Sequence, residues 1–170
     1  MRENHEILRA APLLNAAGDL NEPGWASSPL PVYRRADIRA GKLRIKEWDY
    51  YLVTDGHIGL ALTISDNGYM GLDSVSFLDF DGKWERTKSP MRLLPLGKTG
   101  LPESSAEGVS EIARGGYALA FYHEDSARRL SFHMENFLDG DMIEGVVTLT
   151  DAPKQSMVIA TPFDKPKHFY

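Results

Sequence analysis

The stretch KEWDYYLVTDGHIGLALTISDNGYMG, residues 46–71, decides the fold class. Apolar and polar residues alternate on both sides of Asp55-Gly56, and Asn67-Gly68 follows the second alternating run. Such alternation is typical of half-buried strands, and the Asp-Gly and Asn-Gly dipeptides supply the positive φ angles of two-residue hairpin turns. The stretch therefore predicts consecutive antiparallel strands.

Alternating runs of the same kind continue along the chain and are joined mostly by short Gly-containing turns. Consecutive hairpins favour an all-β antiparallel meander, and closing it would remove the exposed strand edges. We therefore expect a meander barrel or a strongly curved sheet over residues 42–170. The predicted strands cover residues 42–54, 57–65, 69–80, 83–88, 109–114, 117–123, 128–136, 142–149 and 156–161.

Residues 1–41 are the least regular part of the chain. We expect an extended lead-in there, because Pro23, Pro29 and Pro31 interrupt regular secondary structure. Helical spacing is present only over His5–Ala11. It predicts about two turns of helix, because Pro12 limits how far a helix could run.

The composition of the chain argues against several classes of function. The chain has 170 residues, 42% of them apolar, a net charge of −5 and no cysteine. A basic surface for nucleic acid or anionic lipid is not expected, and neither is a thiolate metal site. No apolar run approaches the roughly 20 residues of a membrane span, and the charged N-terminus does not read as a signal peptide. We expect a cytoplasmic protein that needs no cofactor.

Two-residue turns fix the register of the first hairpins. With Asp55-Gly56 as the loop, Asp49 pairs with Leu62; with Asn67-Gly68 as the loop, Leu62 pairs with Asp73. One face is then strongly apolar, yet it also carries three carboxylates. This face consists of Leu43, Ile45, Glu47, Asp49, Tyr51, Val53, Ile58, Leu60, Leu62, Ile64, Gly71, Asp73, Val75 and Phe77.

The register places Glu47, Asp49 and Asp73 inside the sheet. Asp49 and Asp73 would flank Leu62 about 9–10 Å apart, and Glu47 would lie about 6–7 Å from Asp49. An isolated buried charge costs too much to persist, so these groups must be hydrogen-bonded, paired or neutral. Buried carboxylates of this kind are candidates for acid–base chemistry.

Two structural explanations compete with this interpretation. A β-bulge near Trp48 would send Glu47 or Asp49 to solvent. Carboxylates also occur at barrel ends, where an inner face meets water. A metal site formed by His123, His133 and Glu135 is a further alternative, but their spacing is generic and we expect no metal there.

Four long segments resemble one family, catalogued as domain of unknown function 2804. They are RIKEWDYYLV (44–53), LTISDNGYMGLDSVSFLDF (62–80), SMVIATPFDKPKHFY (156–170) and PLLNAAGDLNEPGWASSPL (12–30). The family is thought to be distantly similar to the lipocalin-like (calycin-type) two-barrel fold of carotenoid hydratases. This resemblance implies a lipocalin-like fold, hydrophobic small molecules and acid–base chemistry, by fold analogy only. Members continue beyond the segment that ends at Tyr170, so residues 42–170 are expected to be the first of two barrels.

We therefore expect a pocket protein that acts on a hydrophobic small molecule, as a cofactor-independent hydratase, lyase or isomerase. Asp49 would be the general acid or base, Glu47 and Asp73 would adjust its acidity, and Tyr51 would orient the substrate. A non-enzymatic carrier of an apolar ligand is the alternative. In either case the expected lining residues are Leu60, Leu62, Val75 and Phe77.

The end of the chain predicts a self-contact. Met157–Thr161 is continuously apolar or β-branched, and three aromatics, Phe163, Phe169 and Tyr170, follow it. Such a strand and such aromatics must pack back, meet another copy or stay exposed. We expect a homodimer through this strand and its aromatics.

Overall fold

The computed structural model describes residues 5–124, 127–150 and 156–170. The all-β prediction is confirmed: these residues form fourteen strands and one 3₁₀ turn, Arg35–Asp37, without an α-helix. None of the helical structure in this part of the chain has the length and apolarity needed to cross a membrane. The strands are β1 (Ala11–Pro12), β2 (Gly24–Ala26), β3 (Pro31–Val32), β4 (Glu47–Thr54), β5 (Ile58–Asp66), β6 (Met70–Leu72), β7 (Ser74–Asp79), β8 (Trp84–Lys88), β9 (Met91–Leu93), β10 (Gly108–Arg114), β11 (Tyr117–Glu124), β12 (Ala127–Leu138), β13 (Asp141–Thr150) and β14 (Val158–Ala160).

The chain divides into two compact units. The terminal unit contains Met1–Ala40, Glu103–Ser105 and Ala152–Tyr170, and the sheet unit contains Gly41–Pro102 and Ala106–Asp151. The C-terminal strand therefore groups with the lead-in, although the sequence had suggested one continuous domain from residue 42.

In the terminal unit, the helix expected over His5–Ala11 is wrong. Ile7 donates its backbone N–H to the carbonyl of Trp25, and Trp25 donates to the carbonyl of His5, so this segment is extended along β2. Ile7 is buried with Ala26 and Ala160, and burial against β2 and β14 outweighs a weak local helical tendency. Strand β14 pairs with β2 of the same chain, while Phe163 and Tyr170 remain exposed.

The sheet unit contains two four-stranded antiparallel sheets. The first sheet has the order β4-β5-β7-β8 and the second has the order β10-β11-β12-β13; β6 and β9 form a separate pair. Both four-stranded sheets contribute to one apolar core, so they pack face to face. The buried members of this core are Leu62, Ile64, Val75, Tyr117, Leu119, Phe121, Leu130, Met134 and Phe137.

Side chains, rather than a closing ladder, join the edges of the two sheets. At one seam, Ser110 of β10 donates to Asp49 of β4. At the other, Arg86 Nε and Lys88 Nζ of β8 donate to the carbonyls of Phe137 and Glu135 at 2.7 and 2.6 Å. Among the described strands, no ladder closes the sheets into a barrel.

The predicted register differs from the observed one by two residues. Asp49 pairs with Ile64, and Leu62 pairs with Val75. The first loop is longer than two residues because Asp55 Oδ1 accepts from the backbone N–H groups of both His57 and Ile58, at 2.9 Å each. A shift of two preserves the face of every residue, so the predicted inner face of β4 is confirmed, with Trp48, Tyr50 and Leu52 exposed on the other side.

Two turn glycines with positive φ differ sharply in their surroundings. Gly68 (φ +75°) lies so close to the backbone that a Cβ would meet the Lys42 carbonyl oxygen at 2.3 Å, whereas Gly56 (φ +93°) faces open space. We expect Gly56→Ala to cost about 1–2 kcal/mol of unfolding free energy through its backbone conformation alone. Gly68→Ala should cost about 1–3 kcal/mol more because the backbone must move.

Urea unfolding of the two variants measures this difference, and each serves as the reference for the other. Equal losses would contradict the close approach of Gly68 to Lys42.

Candidate functional site

Asp73 is completely buried at the start of β7, and its charge is paired. Arg92 from β9 donates from Nε to Asp73 Oδ2 at 2.6 Å and from Nη2 to Oδ1 at 3.0 Å. Tyr117 donates its hydroxyl to Oδ2 at 2.9 Å. Such a two-pronged, charge-assisted contact satisfies the carboxylate and holds β6–β9 against the first sheet.

The pKa shifts around Asp73 fit this pairing. Burial acts to lower the pKa of Arg92, but the hydrogen bond and charge of Asp73 outweigh it, so the pKa of Arg92 lies above its usual value. Burial, together with the hydrogen bond and charge of Asp73, raises the pKa of Tyr117 to about 12. Tyr117 therefore stays protonated and donates to Asp73 at any physiological pH.

A second buried carboxylate, Asp66, extends the network. Its Oδ2 accepts from the backbone N–H of Gly97 at 2.8 Å and from the hydroxyl of Thr99 at 3.0 Å, and its Oδ1 accepts from Gly68 N–H at 3.0 Å. Arg92 Nη1 donates to the same Thr99 hydroxyl at 3.0 Å. These hydrogen bonds fix the loop after β9 to the end of β5. All of the residues involved belong to the sheet unit.

Asp49 lies on the inner face of β4 and is half-buried. Its Oδ2 accepts a hydrogen bond from Ser110, which is 1% exposed on the neighbouring edge of the second sheet. Glu47, also half-buried, starts the same strand opposite Asp66. Glu47 and Asp49 therefore share the inner face of β4 as predicted, and Asp49 and Asp73 have different partners.

Tyr51 forms the centre of a polar cluster with His123 and Arg128. Its hydroxyl oxygen lies 2.8 Å from His123 Nε2, and the guanidinium of Arg128 lies close enough to oppose the upward shift in the pKa of Tyr51. Burial raises the pKa of Tyr51, and although Arg128 opposes this, the charge of Asp49 adds to it, so the net shift is upward. The Tyr51 ring packs edge-on against Phe121, with 5.1 Å between ring centroids.

The predicted lining residues fall into two groups. Leu62 and Val75 have no accessible surface, so in this structure they touch only protein atoms. Leu60 and Phe77 are half-buried and lie farther along the same inner face. Val53 pairs directly with Leu60, and Val147 and Leu149 of the second sheet are half-buried against the same core.

The histidines do not converge. His123 faces inward with Tyr117 and Phe121, whereas His133 lies on the opposite face of the second sheet, 3.3 Å from Glu144 and 4.0 Å from Glu135. No group of three or more candidate metal ligands occurs within the described part of the chain.

The sequence did not indicate Arg92, Asp66 or Ser110 as site residues, it suggested His123 only as a metal ligand, and it did not single out Arg128. For the last two a signal existed, because apolar residues at 117, 119 and 121 predict that 123 also faces inward, and a two-residue turn would set Arg128 opposite His123. Arg92 offers no comparable signal, since its strand leaves the main sheet to pair with β6.

The buried ion pair gives a direct stability prediction. Arg92→Met leaves the Asp73 charge buried without a cation and should lower the unfolding free energy by about 3–5 kcal/mol. The double variant Asp73→Asn/Arg92→Met should recover part of this loss, because it removes both charges.

Urea unfolding compares the two variants with exposed Lys98→Met, which should stay within about 0.5 kcal/mol of wild type. If the single and double variants lose equal stability, the uncompensated charge is not the cause.

Comparison with known proteins gives one result. The family described as Domain of unknown function (DUF2804) matches residues 4–170. Searches of curated proteins and of solved structures found no significant match, so the relation to lipocalin-like two-barrel proteins stays a prediction. With its family match extending over nearly the full sequence, this chain belongs to the DUF2804 family.

Proposed function

We propose that the sheet unit binds a hydrophobic small molecule at its half-buried inner face and transfers protons to or from it. The observation that carries this proposal is the position of Asp49 and Tyr51. Both lie on the inner face of one edge strand, both are half-buried, and both bind side chains of the opposite sheet. Polar groups bordering apolar surface are typical of sites that orient and act on small molecules.

Asp49 is the proton-transfer group in this proposal. A carboxylate has two oxygens and about four acceptor positions, so the bond from Ser110 to Oδ2 fixes the side chain without saturating it. Hydration, elimination and double-bond isomerisation all need one such group. In an isomerisation Asp49 takes a proton from one carbon and returns a proton to another, so the protein ends unchanged and no cofactor is consumed.

Tyr51 supplies a neutral hydroxyl beside Asp49. Its raised pKa keeps it protonated near neutral pH, so it does not abstract a proton, and its oxygen can accept a hydrogen bond from a substrate hydroxyl. Glu47 lies two residues before Asp49 on the same inner face of β4, from where its charge acts on Asp49 in this proposal. Asp73 has a structural role in this proposal, because Arg92 and Tyr117 already satisfy its carboxylate.

A carrier without catalytic activity is the second candidate. Leu60 and Phe77, with Val53 and Leu149, give a half-buried apolar surface that could hold a ligand without chemistry. A carrier should retain a small molecule through purification, visible by native mass spectrometry, and should show no turnover.

The homodimer remains part of the proposal, as does the cytoplasmic location expected from the sequence. Strand β14 already pairs with β2 of its own chain along one edge, and in this proposal the second copy contacts the exposed Phe163 and Tyr170. Sedimentation velocity tests this, and a monomer at high micromolar concentration would remove the dimer.

Asp49→Asn tests the catalytic proposal. It removes the basic carboxylate but keeps an acceptor for Ser110, so turnover of polyene or terpenoid substrates should fall at least about a hundredfold while the fold persists. Glu111→Gln is the matched control, because Glu111 is exposed next to Ser110, and turnover should not change.

Undiminished turnover in Asp49→Asn would exclude Asp49 from the mechanism. Tight binding of apolar ligands without turnover by the wild-type protein would instead favour the carrier.

A further inference from the structure

The cluster of Tyr51, His123 and Arg128 has chemistry that proton transfer at Asp49 does not require. His123 and Arg128 are directly paired between β11 and β12, and both alternate in phase with buried core residues. Both are half-buried. The cluster therefore places a guanidinium on the inner side of the sheet unit, next to apolar surface.

Hydrogen bonds order this cluster. His123 Nδ1 lies 3.3 Å from the carbonyl oxygen of Glu107, which can only accept, so Nδ1 carries the proton. In the neutral ring Nε2 then accepts from the Tyr51 hydroxyl. Arg128 lies directly opposite His123 in the β11–β12 ladder, and its guanidinium offers five N–H donors to a ligand.

The surroundings of Arg128 favour a ligand with an anionic head group and a hydrocarbon part. Its cross-strand partner is half-buried Leu149, and Val147 and Val53 are half-buried and pack against the same core. A half-desolvated guanidinium favours a planar, two-oxygen anion, which it can bind through two parallel hydrogen bonds. The protein as a whole carries a net charge of −5, so a preference for anions must arise locally.

We propose that Arg128, which lies opposite His123 on the inner side of the second sheet, binds the carboxylate of an amphipathic carboxylic acid whose hydrocarbon chain lies against the half-buried apolar residues of the sheet unit. This rests on the proposed function and specifies the substrate class of the same site. Asp49 and Tyr51 are two residues apart on one strand, about 6–7 Å. Asp49 would therefore act a few carbon atoms from the carboxylate, on the part of the chain nearest the head.

Displacement of the neutral dye Nile red by dodecanoic acid and by dodecan-1-ol tests the inference, since the two ligands share a chain and differ in the head. The wild-type protein should bind the acid about tenfold to a hundredfold more tightly, the range expected for hydrogen bonds to a charged group. Arg128→Met should abolish this preference and leave alcohol binding within about threefold. Arg128→Lys should retain part of it, because the charge remains without the planar fork.

Arg129→Met is the matched control. Arg129 follows directly in the chain but points to the other face, where its guanidinium lies 4.5 Å from the centre of the Tyr122 ring. Its acid preference should equal that of wild type, and near-ultraviolet circular dichroism should show all variants folded.

The outcomes separate the two proposals. Equal binding of acid and alcohol by the wild-type protein overturns the carboxylate inference and leaves the proposed function standing. A preference that survives in both Arg128 variants overturns the assignment to Arg128. Failure of the wild-type protein to bind the dye or either ligand overturns the proposed function and the inference with it.

Discussion

The pairing of Asp73 with Arg92 is the interaction on which the sheet unit depends. Asp73 directly precedes β7, the third strand of the first sheet, and Arg92 lies on β9, outside that sheet. The hydrogen bond from Tyr117 to Asp73 links both segments to the second sheet. A buried pair of this kind contributes little net stability compared with an apolar replacement, but it penalises any arrangement in which either partner is alone. Its effect is therefore to specify one arrangement of three chain segments.

Strand positions and face assignments were predictable because alternation repeats every two residues. The nine strands expected from residue 42 onward all have counterparts, and Asp49, Tyr51 and Asp73 face inward as predicted. Exact partners were not predictable, because the loop after Thr54 is set by side-chain bonds of Asp55 that turn chemistry alone did not indicate. The predicted register was wrong by two residues, and because this number is even, each residue stayed on its predicted face of the sheet.

In the candidate site, too, the inward-facing residues were predictable and their partners were not. Reasoning within one sheet found Asp49 and Tyr51, but their partners Ser110, His123 and Arg128 come from a sheet more than fifty residues later. Periodicity gives the inner face of each sheet, whereas the way two sheets stack depends on how their cores interlock. The single sequence therefore predicts which residues face the interior better than which of them meet.

The seam between β8 and the end of β12 has a consequence for mutational tolerance. Arg86 and Lys88 bind main-chain carbonyls, which every amino acid provides. Side chains at 135 and 137 can thus be exchanged without losing those acceptors, while replacing either basic residue removes a donor. Asn136, between these two positions, is less replaceable. Its φ of +47° is accessible to asparagine and glycine but is unfavourable for most other residues. The seam therefore constrains the side chains of β8 but only the main chain of β12, where Phe137 is constrained instead by its place in the core.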